Sequence, residues 1–167
     1  MPLRLILTRH AKSDWDNPLQ SDHQRPLNSR GQHAAPMIGR WLAGKGYLPQ
    51  EALVSNAART RETWALLSAE LPDAVPAQYL PALYHASPTV MLRALHTAKA
   101  PCVIMIGHNP GIAEFAARLL RTHPAHPQFS RYPTCATLVV EFHQDSWADI
   151  RNGSGAALDF TVPRDLE

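Results

Sequence analysis

The sequence predicts an α/β fold with a largely parallel central sheet. Short apolar, β-rich runs alternate along the chain with helical patterns, and this alternation is typical of parallel strands joined by helices. Residues 102–106 form the most apolar run and are predicted to be a central strand buried on both faces. The 167 residues contain no repeat, linker or domain break, which predicts one domain over residues 1–167.

The predicted strands are short and are separated by helices or polar loops. We expect strands at residues 3–8, 52–54, 79–83, 102–106, 136–142 and 158–162. Residues 11–28 are rich in Asp, Asn and Pro, and residues 122–133 are rich in Pro and His. Both stretches are therefore predicted to be loops.

The first helix is predicted from its termini. Ser29 and Gln32 have the spacing of a capping box, and Gly44 and Gly46 end the helical pattern. Pro36 fits this helix if it lies in the first two turns, where the missing amide hydrogen costs least.

Three further helices follow the second, third and fourth strands. The second helix covers about residues 58–71, between an N-cap offered by residues 55–56 and a stop at Pro72. The third begins at Ser87, with Pro88 at its first position. The fourth has apolar residues at helical spacing, namely Ile112, Phe115, Ala116, Leu119 and Leu120.

Composition excludes several classes of protein. The formal net charge is only +2, whereas a nucleic-acid-binding protein usually carries a strong overall positive charge. Two cysteines are too few for a disulfide scaffold, and Cys102, inside an apolar run, is predicted to be a buried structural residue. His123 and His126 are separated by a proline and have no acidic or thiol partner nearby, so no metal site is predicted.

The chain carries no recognisable targeting or membrane-spanning segment. Arg4 interrupts the short apolar start, and no stretch approaches the ~18 apolar residues of a membrane helix. We therefore expect a cytoplasmic protein that binds neither a membrane nor nucleic acid. Phosphate-binding P-loop, dinucleotide-binding and serine-nucleophile motifs are also absent from the sequence.

Polar residues follow four of the predicted strands, at the point where each strand ends. They are Arg9-His10, residues 55–59, Tyr84-His85 and Gly107-His108. Because the carboxyl ends of parallel strands meet at one edge of a sheet, we expect these residues to surround a single crevice.

Two arginines and two histidines in one crevice predict phosphoryl transfer without a metal or other cofactor. The planar guanidinium groups of Arg9 and Arg59 fit phosphate oxygens, and two helix N-termini add partial positive charge. A neutral imidazole is a nucleophile at neutral pH, so His10 is predicted to attack phosphorus in line. Arg9, Arg59 and His108 would stabilise charge on the equatorial oxygens. One nitrogen of His10 must then be unprotonated while the other donates to a carbonyl.

Four sequence blocks in this order resemble the histidine phosphatase superfamily, the phosphoglycerate-mutase-like group. The blocks begin at Leu7-Thr-Arg9-His10, Arg25-Pro-Leu-Asn-Ser-Arg-Gly, Ser55-Asn-Ala-Ala-Arg59-Thr-Arg-Glu-Thr and Gly107-His108-Asn-Pro-Gly. Within this group the chain is similar to the small phosphohistidine phosphatases of the SixA type, whose tail resembles residues 159–166.

The resemblance implies a three-layer α/β/α sandwich and a phosphohistidine intermediate on His10. It implies Arg9, Arg59 and His108 as phosphate ligands, and Arg25 matches an arginine that lies near the phosphate in the small members, although it could also be a solvated loop residue. We add Asn109 as a candidate substrate-binding residue. Arg61 is expected on the exposed side of its helix or paired with Glu62, and Trp41, Trp64 and Trp147 are expected in packing roles. Trp15 is the possible exception, because it lies in the loop that follows His10.

The chain departs from the family pattern at two points. Ala11 stands where a glycine is usual, which would be strained if the position required positive φ. The glutamate that larger members use as a proton donor is missing from residues 83–87, and Asp14, Asp16, Asp22 and His85 are all possible substitutes.

A site without a strong acid favours P–N bonds or activated esters, because an imidazole (pKa ~6.5) leaves more readily than an alkoxide. We also expect an open pocket that could admit a histidine of a folded protein, since the chain lacks long insertions.

Several functions remain open at this point. The leading prediction is a phosphatase for phosphohistidine in a partner protein, such as a phosphotransfer domain. The alternatives are a phosphatase for small phosphoesters such as sugar phosphates or nucleotides, and a phosphate-binding module without turnover. A magnesium-dependent aspartyl phosphatase using Asp14 and Asp16 is disfavoured, because Arg9 and His10 intervene between that pair and the strand.

Overall fold

A computed structural model describes residues 2–167, which form a six-stranded sheet between two layers of helices. The strands are β1 (Leu3–Arg9), β2 (Glu51–Ser55), β3 (Ala77–Leu80), β4 (Cys102–Gly107), β5 (Thr137–Phe142) and β6 (Ala156–Thr161). Their order across the sheet is β3-β2-β4-β1-β5-β6, and β5 alone runs in the direction opposite to the other five strands. The predicted α/β class and the interior position of β4 are confirmed.

Residues 2–167 also form five α-helices and three short 3-10 turns, all of which lie between strands except the last helix. The helices are α1 (Ser29–Lys45), α2 (Ala58–Ser68), α3 (Pro88–His96), α4 (Gly111–Leu119) and α5 (Pro163–Leu166), and the 3-10 turns are Asp22–Gln24, Pro81–Leu83 and Trp147–Asp149. Of the helices among residues 2–167, α1 is the longest at 17 residues, and no helix combines the length and apolar character needed to cross a bilayer.

Two apolar layers lie on opposite faces of the sheet. Alternating strand residues supply both, because successive side chains of a strand point to opposite faces. One layer packs α3 and α4 against one face of the strands, through residues such as Leu7, Met105, Met91, Leu95 and Phe115. The other packs α1 and α2 against the opposite face, through Ile6, Ile104, Ile38, Leu42 and Leu67. This is the predicted three-layer sandwich.

The predicted start of α1 is wrong by one residue. Asn28 is the N-cap, and its side-chain oxygen accepts a hydrogen bond from the Gly31 amide at 2.9 Å. Ser29 is already helical, so no capping box forms with Gln32. Asparagine is as good a cap as serine, which is why the sequence signal was ambiguous. Pro36 also lies beyond the first two turns and is accommodated inside the helix.

Other boundaries differ from the prediction by a few residues. Strand β3 stops at Leu80 because a 3-10 turn begins at Pro81, helix α2 ends at Ser68 before the predicted stop, and β6 begins two residues early at Ala156. Cys102 is only partly buried, because it is the first residue of β4 at the end of the sheet.

The loop between β1 and α1 is tied to the helix that follows it. The Asn28 amide donates to the Lys12 carbonyl at 3.0 Å, and a short bridge joins Ser13 to Leu27. A Cβ atom on Gly31 would lie 2.2 Å from the same Lys12 carbonyl oxygen, so only glycine allows α1 to approach this closely. The loop therefore returns to the carboxyl end of β1.

Candidate active site

The polar residues predicted to converge do line one cavity at the carboxyl edge of the sheet. Its volume is about 420 Å³, and its walls come from the ends of β1 and β4, the start of α2, the loop after β1 and the segment after β3. We call His10, Arg59 and His108 the pocket floor, because each is at most 6% exposed. We call Trp15, Asp22 and His85 the pocket rim, because each is exposed to solvent.

His10 is held in one tautomer by the main chain. Its Nδ1 lies 2.6 Å from the carbonyl oxygen of Ala11, which can only accept, so Nδ1 carries the proton and Nε2 is left with a free electron pair. Ala11 does not adopt the positive φ that would strain it, and its amide donates to the Thr63 hydroxyl at 2.9 Å. The alanine is therefore a harmless substitution for glycine.

His108 is oriented by Ser55, at the end of the neighbouring strand. Its Nε2 lies 2.7 Å from Ser55 Oγ, which itself accepts from the Ala57 amide at 3.4 Å. If the serine hydroxyl donates to Nε2, the proton of His108 is on Nδ1, which is buried and has no partner in the described residues. The prediction that residues 55–56 cap α2 is wrong, since the N-cap is Ala57 without a side-chain bond.

Three guanidinium groups surround the two imidazoles. Arg59 and Arg25 are 3% and 7% exposed, and Arg9 is partly buried. The Nε atoms of all three are buried and have no hydrogen-bond partner among residues 2–167. The Arg25 guanidinium donates to Ser13 Oγ and lies 3.5 Å from the centre of the Trp15 ring.

Asp22 is the carboxylate of this cavity. Its Oδ1 accepts from Arg25 Nη2 at 2.7 Å, and its Oδ2 accepts from Arg59 Nη2 at 3.1 Å and from the Tyr84 hydroxyl. His85 Nε2 lies 3.4 Å from the same Oδ2. Burial raises the pKa of Asp22, but hydrogen bonds from Tyr84 and Arg25 and the positive charge of Arg59 outweigh it, so the pKa lies well below its usual value. Of the three aspartates named as possible acids, Asp22 alone lines the cavity, and it is ionised; the fourth candidate, His85, lies beside it at the rim.

The imidazoles of the floor are neutral over the whole physiological range. Burial lowers the pKa of His10 to about 3 and that of His108 to about 2, and nearby positive charges act in the same direction. Burial and the neighbouring Arg59 also lower the pKa of Arg9. With three guanidinium groups and one carboxylate, these charged side chains of the cavity lining are positively charged in sum and are suited to an anion.

The remaining candidates are distributed as follows. Asn109 lines the cavity, but its amide nitrogen donates to the carbonyls of Arg131 and Tyr132, at 3.0 Å and 3.1 Å. Its visible contacts thus hold two loops together. Arg61 is exposed as expected, but it lies over the Tyr79 ring and is not paired with Glu62.

Sequence reasoning missed Ser13, and it placed Ser55 and Tyr84 at the crevice without assigning either a role. Their signals were weak: each lies within a few residues of a predicted site residue, but only the folded chain reveals the partner. The separation of Asp22 from Arg25 by three residues was a usable signal, since that spacing lets the two side chains meet across one turn.

Comparison with protein families supports the resemblance to the histidine phosphatase superfamily. The family model described as "Histidine phosphatase superfamily (branch 1)" matches residues 5–87, which include most of β1, the loop after it and α2. The chain belongs to the histidine phosphatase superfamily. An uncharacterised chloroplastic protein of Arabidopsis thaliana is 31% identical over 157 residues, covering 87% of this chain and 69% of the relative.

One further sequence relative and one solved structure match this histidine phosphatase over almost its whole length. An uncharacterised protein of Mycobacterium tuberculosis is 30% identical over 163 residues, covering 93% of this chain and 99% of the relative. The solved structure of a SixA protein from Nakamurella multipartitia superposes with a TM-score of 0.80 at 25% identity, covering 98% of this chain and 97% of that one. These similarities and the family support a phosphatase.

Proposed function

We propose that this protein is a metal-independent phosphatase that removes the phosphoryl group from phosphohistidine in a partner protein, through a phosphohistidine intermediate on His10. The observation that carries the proposal is the tautomer of His10. The Ala11 carbonyl holds the proton on Nδ1, so Nε2 is available as a nucleophile at the bottom of a cationic cavity.

The surrounding donors fit a phosphoryl group. The buried Nε atoms of Arg9, Arg25 and Arg59 and the Nδ1 of His108 are without partners in the described residues, and buried polar groups are normally satisfied. A tetrahedral phosphoryl dianion supplies several acceptor oxygens and compensates the excess positive charge. The same groups would stabilise the charge spread over the equatorial oxygens in the transition state.

The reaction is proposed to proceed in two displacements. In the first, Nε2 of His10 forms a bond to phosphorus while the P–N bond of the substrate breaks, and its electron pair remains on the leaving imidazole. In the second, water attacks the phosphorus of the intermediate, and Nε2 of His10 recovers its electron pair as inorganic phosphate is released. Because guanidinium groups supply the positive charge, neither displacement is proposed to involve a metal.

The leaving group follows from the state of Asp22. An alkoxide needs a proton at departure, and an ionised carboxylate has none to donate. An imidazole that is already protonated on its other nitrogen departs as a neutral ring and needs no proton from the enzyme. The SixA description of the Nakamurella structure agrees with this substrate class.

The test is a phosphate-transfer assay with EDTA present. The protein is incubated with a phosphohistidine-bearing protein and, in parallel, with an aryl phosphate, and wild type is compared with His10→Ala. We expect wild type to release phosphate and to carry alkali-stable label on His10, and the variant to do neither. A higher kcat/KM for the aryl phosphate would favour a small-phosphoester phosphatase instead. Binding of phosphate without turnover or label would reduce the protein to a phosphate-binding module.

A further inference from the structure

Asp22 has an unusual position for a carboxylate. It stands at the rim of an anion-binding cavity, where its two oxygens use guanidinium hydrogens of Arg25 and Arg59 that could otherwise contact a phosphoryl group. Its side chain is 40% exposed, so it faces the solvent side, from which a substrate must enter. A negative charge there weakens the attraction of the cavity for every anion. We therefore ask which step of the reaction the Asp22 carboxylate could favour.

The 3-10 turn that contains Asp22 is fixed in place. The Arg59 Nη1 atom donates to the Asp22 main-chain carbonyl at 2.7 Å, and the following residue, His23, contacts Asn56 Oδ1 at 2.9 Å. Tyr84 and His85, stacked with ring centres 4.1 Å apart, close the other side of the carboxylate. The charge is therefore held at one location on the solvent side of the cavity, where the leaving group of a bound phosphoryl donor would lie.

A fixed negative charge beside the leaving group discriminates by the charge that this group carries. As a protonated imidazole leaves, its charge changes from positive to neutral, so the transition state retains part of a positive charge that a carboxylate stabilises. As an alcohol or phenol leaves, its oxygen becomes negative, and the same carboxylate destabilises that transition state. The effect appears in kcat/KM, which compares the transition state with free enzyme and substrate.

We propose that Asp22 is a specificity-determining residue, which favours phosphoryl donors with a cationic leaving group over donors whose leaving group becomes an oxyanion. The inference rests on the proposed function and extends it, since it explains how one cavity separates phosphohistidine from ordinary phosphoesters. Asp22 donates no proton in this role. It accepts a hydrogen bond from the N–H of the protonated imidazole while the P–N bond breaks and the electron pair remains on the ring.

The experiment compares two small substrates, so that docking of a partner protein does not enter. In protonated N-phosphoimidazole the leaving group is cationic before the P–N bond breaks. In p-nitrophenyl phosphate the leaving group becomes an anion as the P–O bond breaks. The kcat/KM values for both are measured at pH 7 on wild type, Asp22→Asn and Asp16→Asn. The last variant is the matched control, because it removes the same charge from an exposed position of the same loop that does not line the cavity.

We expect Asp22→Asn to lower the ratio of the two kcat/KM values, phosphoimidazole over aryl phosphate, by about tenfold, as is typical for a close, partly exposed charge pair. Asp16→Asn is expected to leave the ratio unchanged. If Asp22→Asn lowers both values equally, Asp22 only positions Arg25 and Arg59, which contact the phosphoryl group common to both substrates, and the proposal is overturned. If wild type hydrolyses neither substrate, it is the proposed function that fails.

A second measurement uses wild type alone and is independent of the folding of any variant. Two competitive inhibitors of similar size are compared, 2-aminoethyl phosphate with an ammonium group and carboxymethyl phosphate with a carboxylate. We expect the ammonium compound to bind several-fold more tightly. Tighter binding of the carboxylate would mean that the guanidinium charges dominate the rim, and would contradict the proposal.

Discussion

The floor and the rim of the cavity are built by different parts of the fold. His10, His108 and Arg59 of the floor follow β1, β4 and β2, whose positions are fixed by the central sheet. Trp15 and Asp22 of the rim come from the long loop after β1. The floor is almost completely buried, whereas the Trp15 side chain of the rim is 74% exposed.

The difference separates two tasks within one site. Buried side chains at strand ends are held by the packing of the core, which suits groups that must meet phosphorus in one geometry. Exposed loop residues can change without disturbing the core, which suits contacts with the variable part of a substrate. We therefore expect floor substitutions to abolish chemistry, and rim substitutions to alter the choice of substrate.

After the loss of the nucleophile in His10→Ala, the largest effect is expected from Arg59→Ala. This change removes a buried guanidinium that lies against Asp22 and lines the cavity proposed to hold the phosphoryl group, and the loss of one such donor reduces kcat/KM on the order of 100- to 1,000-fold. Arg61→Ala is the control, since Arg61 lies on the same helix but contacts the Tyr79 ring outside the cavity. The kcat/KM of each variant is measured by steady-state kinetics. An equal loss in both variants would show that a guanidinium of the floor contributes no more to the reaction than one outside the cavity, and would contradict the role assigned to the floor.

The second prediction concerns stability in acid. The unfolded chain takes up a proton on each imidazole below pH ~6.5, whereas His10 and His108 remain neutral in the folded protein down to about pH 3 and about pH 2. The unfolded state therefore binds more protons, and stability decreases as the pH falls below ~6.5. Each ring should lower the free energy of unfolding by roughly 2 kcal/mol between pH 7 and pH 5.

This dependence can be measured by urea unfolding at the two pH values. In His10→Gln, which has no imidazole at position 10 to titrate, the two floor positions together are expected to lower the free energy of unfolding by only about half as much between pH 7 and pH 5. Imidazole NMR supplies the direct check. A His10 ring that gained its proton near pH 6.5 would show that the floor is as well solvated as the rim.

The smallest effect is expected from Trp15→Ala. The indole ring stacks on the Arg25 guanidinium from the solvent side, and such an exposed cation–π contact contributes ~0.5–1 kcal/mol. We expect a two- to fivefold decrease in kcat/KM for an aryl phosphate, with the activity largely retained in Trp15→Phe. A decrease as large as that of Arg59→Ala would place Trp15 among the floor residues in function.

The floor could be anticipated from the sequence because it depends on strand ends. Once residues 3–8 and 102–106 were interpreted as parallel strands, Arg9-His10 and His108 had to lie at the same edge of the sheet. The paired registers Arg9 with Gly107 and Thr8 with Ile106 agree with that expectation. The neighbouring strand β2 brings Ser55 and the start of α2 to the same edge.

The rim could not be derived in this way, because it depends on the path of a loop. Asp22 meets Arg59 and Tyr84 across separations of 37 and 62 residues, and no local pattern specifies either contact. The cap of α1 was assigned wrongly for a related reason. Asn28 and Ser29 are both good caps, and the choice is decided by the approach of α1 to the Lys12 carbonyl.

The hydrogen bond from His10 to the Ala11 carbonyl has a consequence for mutational scanning. The group that sets the tautomer of the nucleophile belongs to the main chain, so it is encoded by no particular amino acid. A scan that replaced every side chain in turn would leave this acceptor in place and would report only a preference for a small residue at position 11. Its contribution would become visible in a protein whose backbone itself was altered there, for example by an inserted residue that turned the carbonyl away.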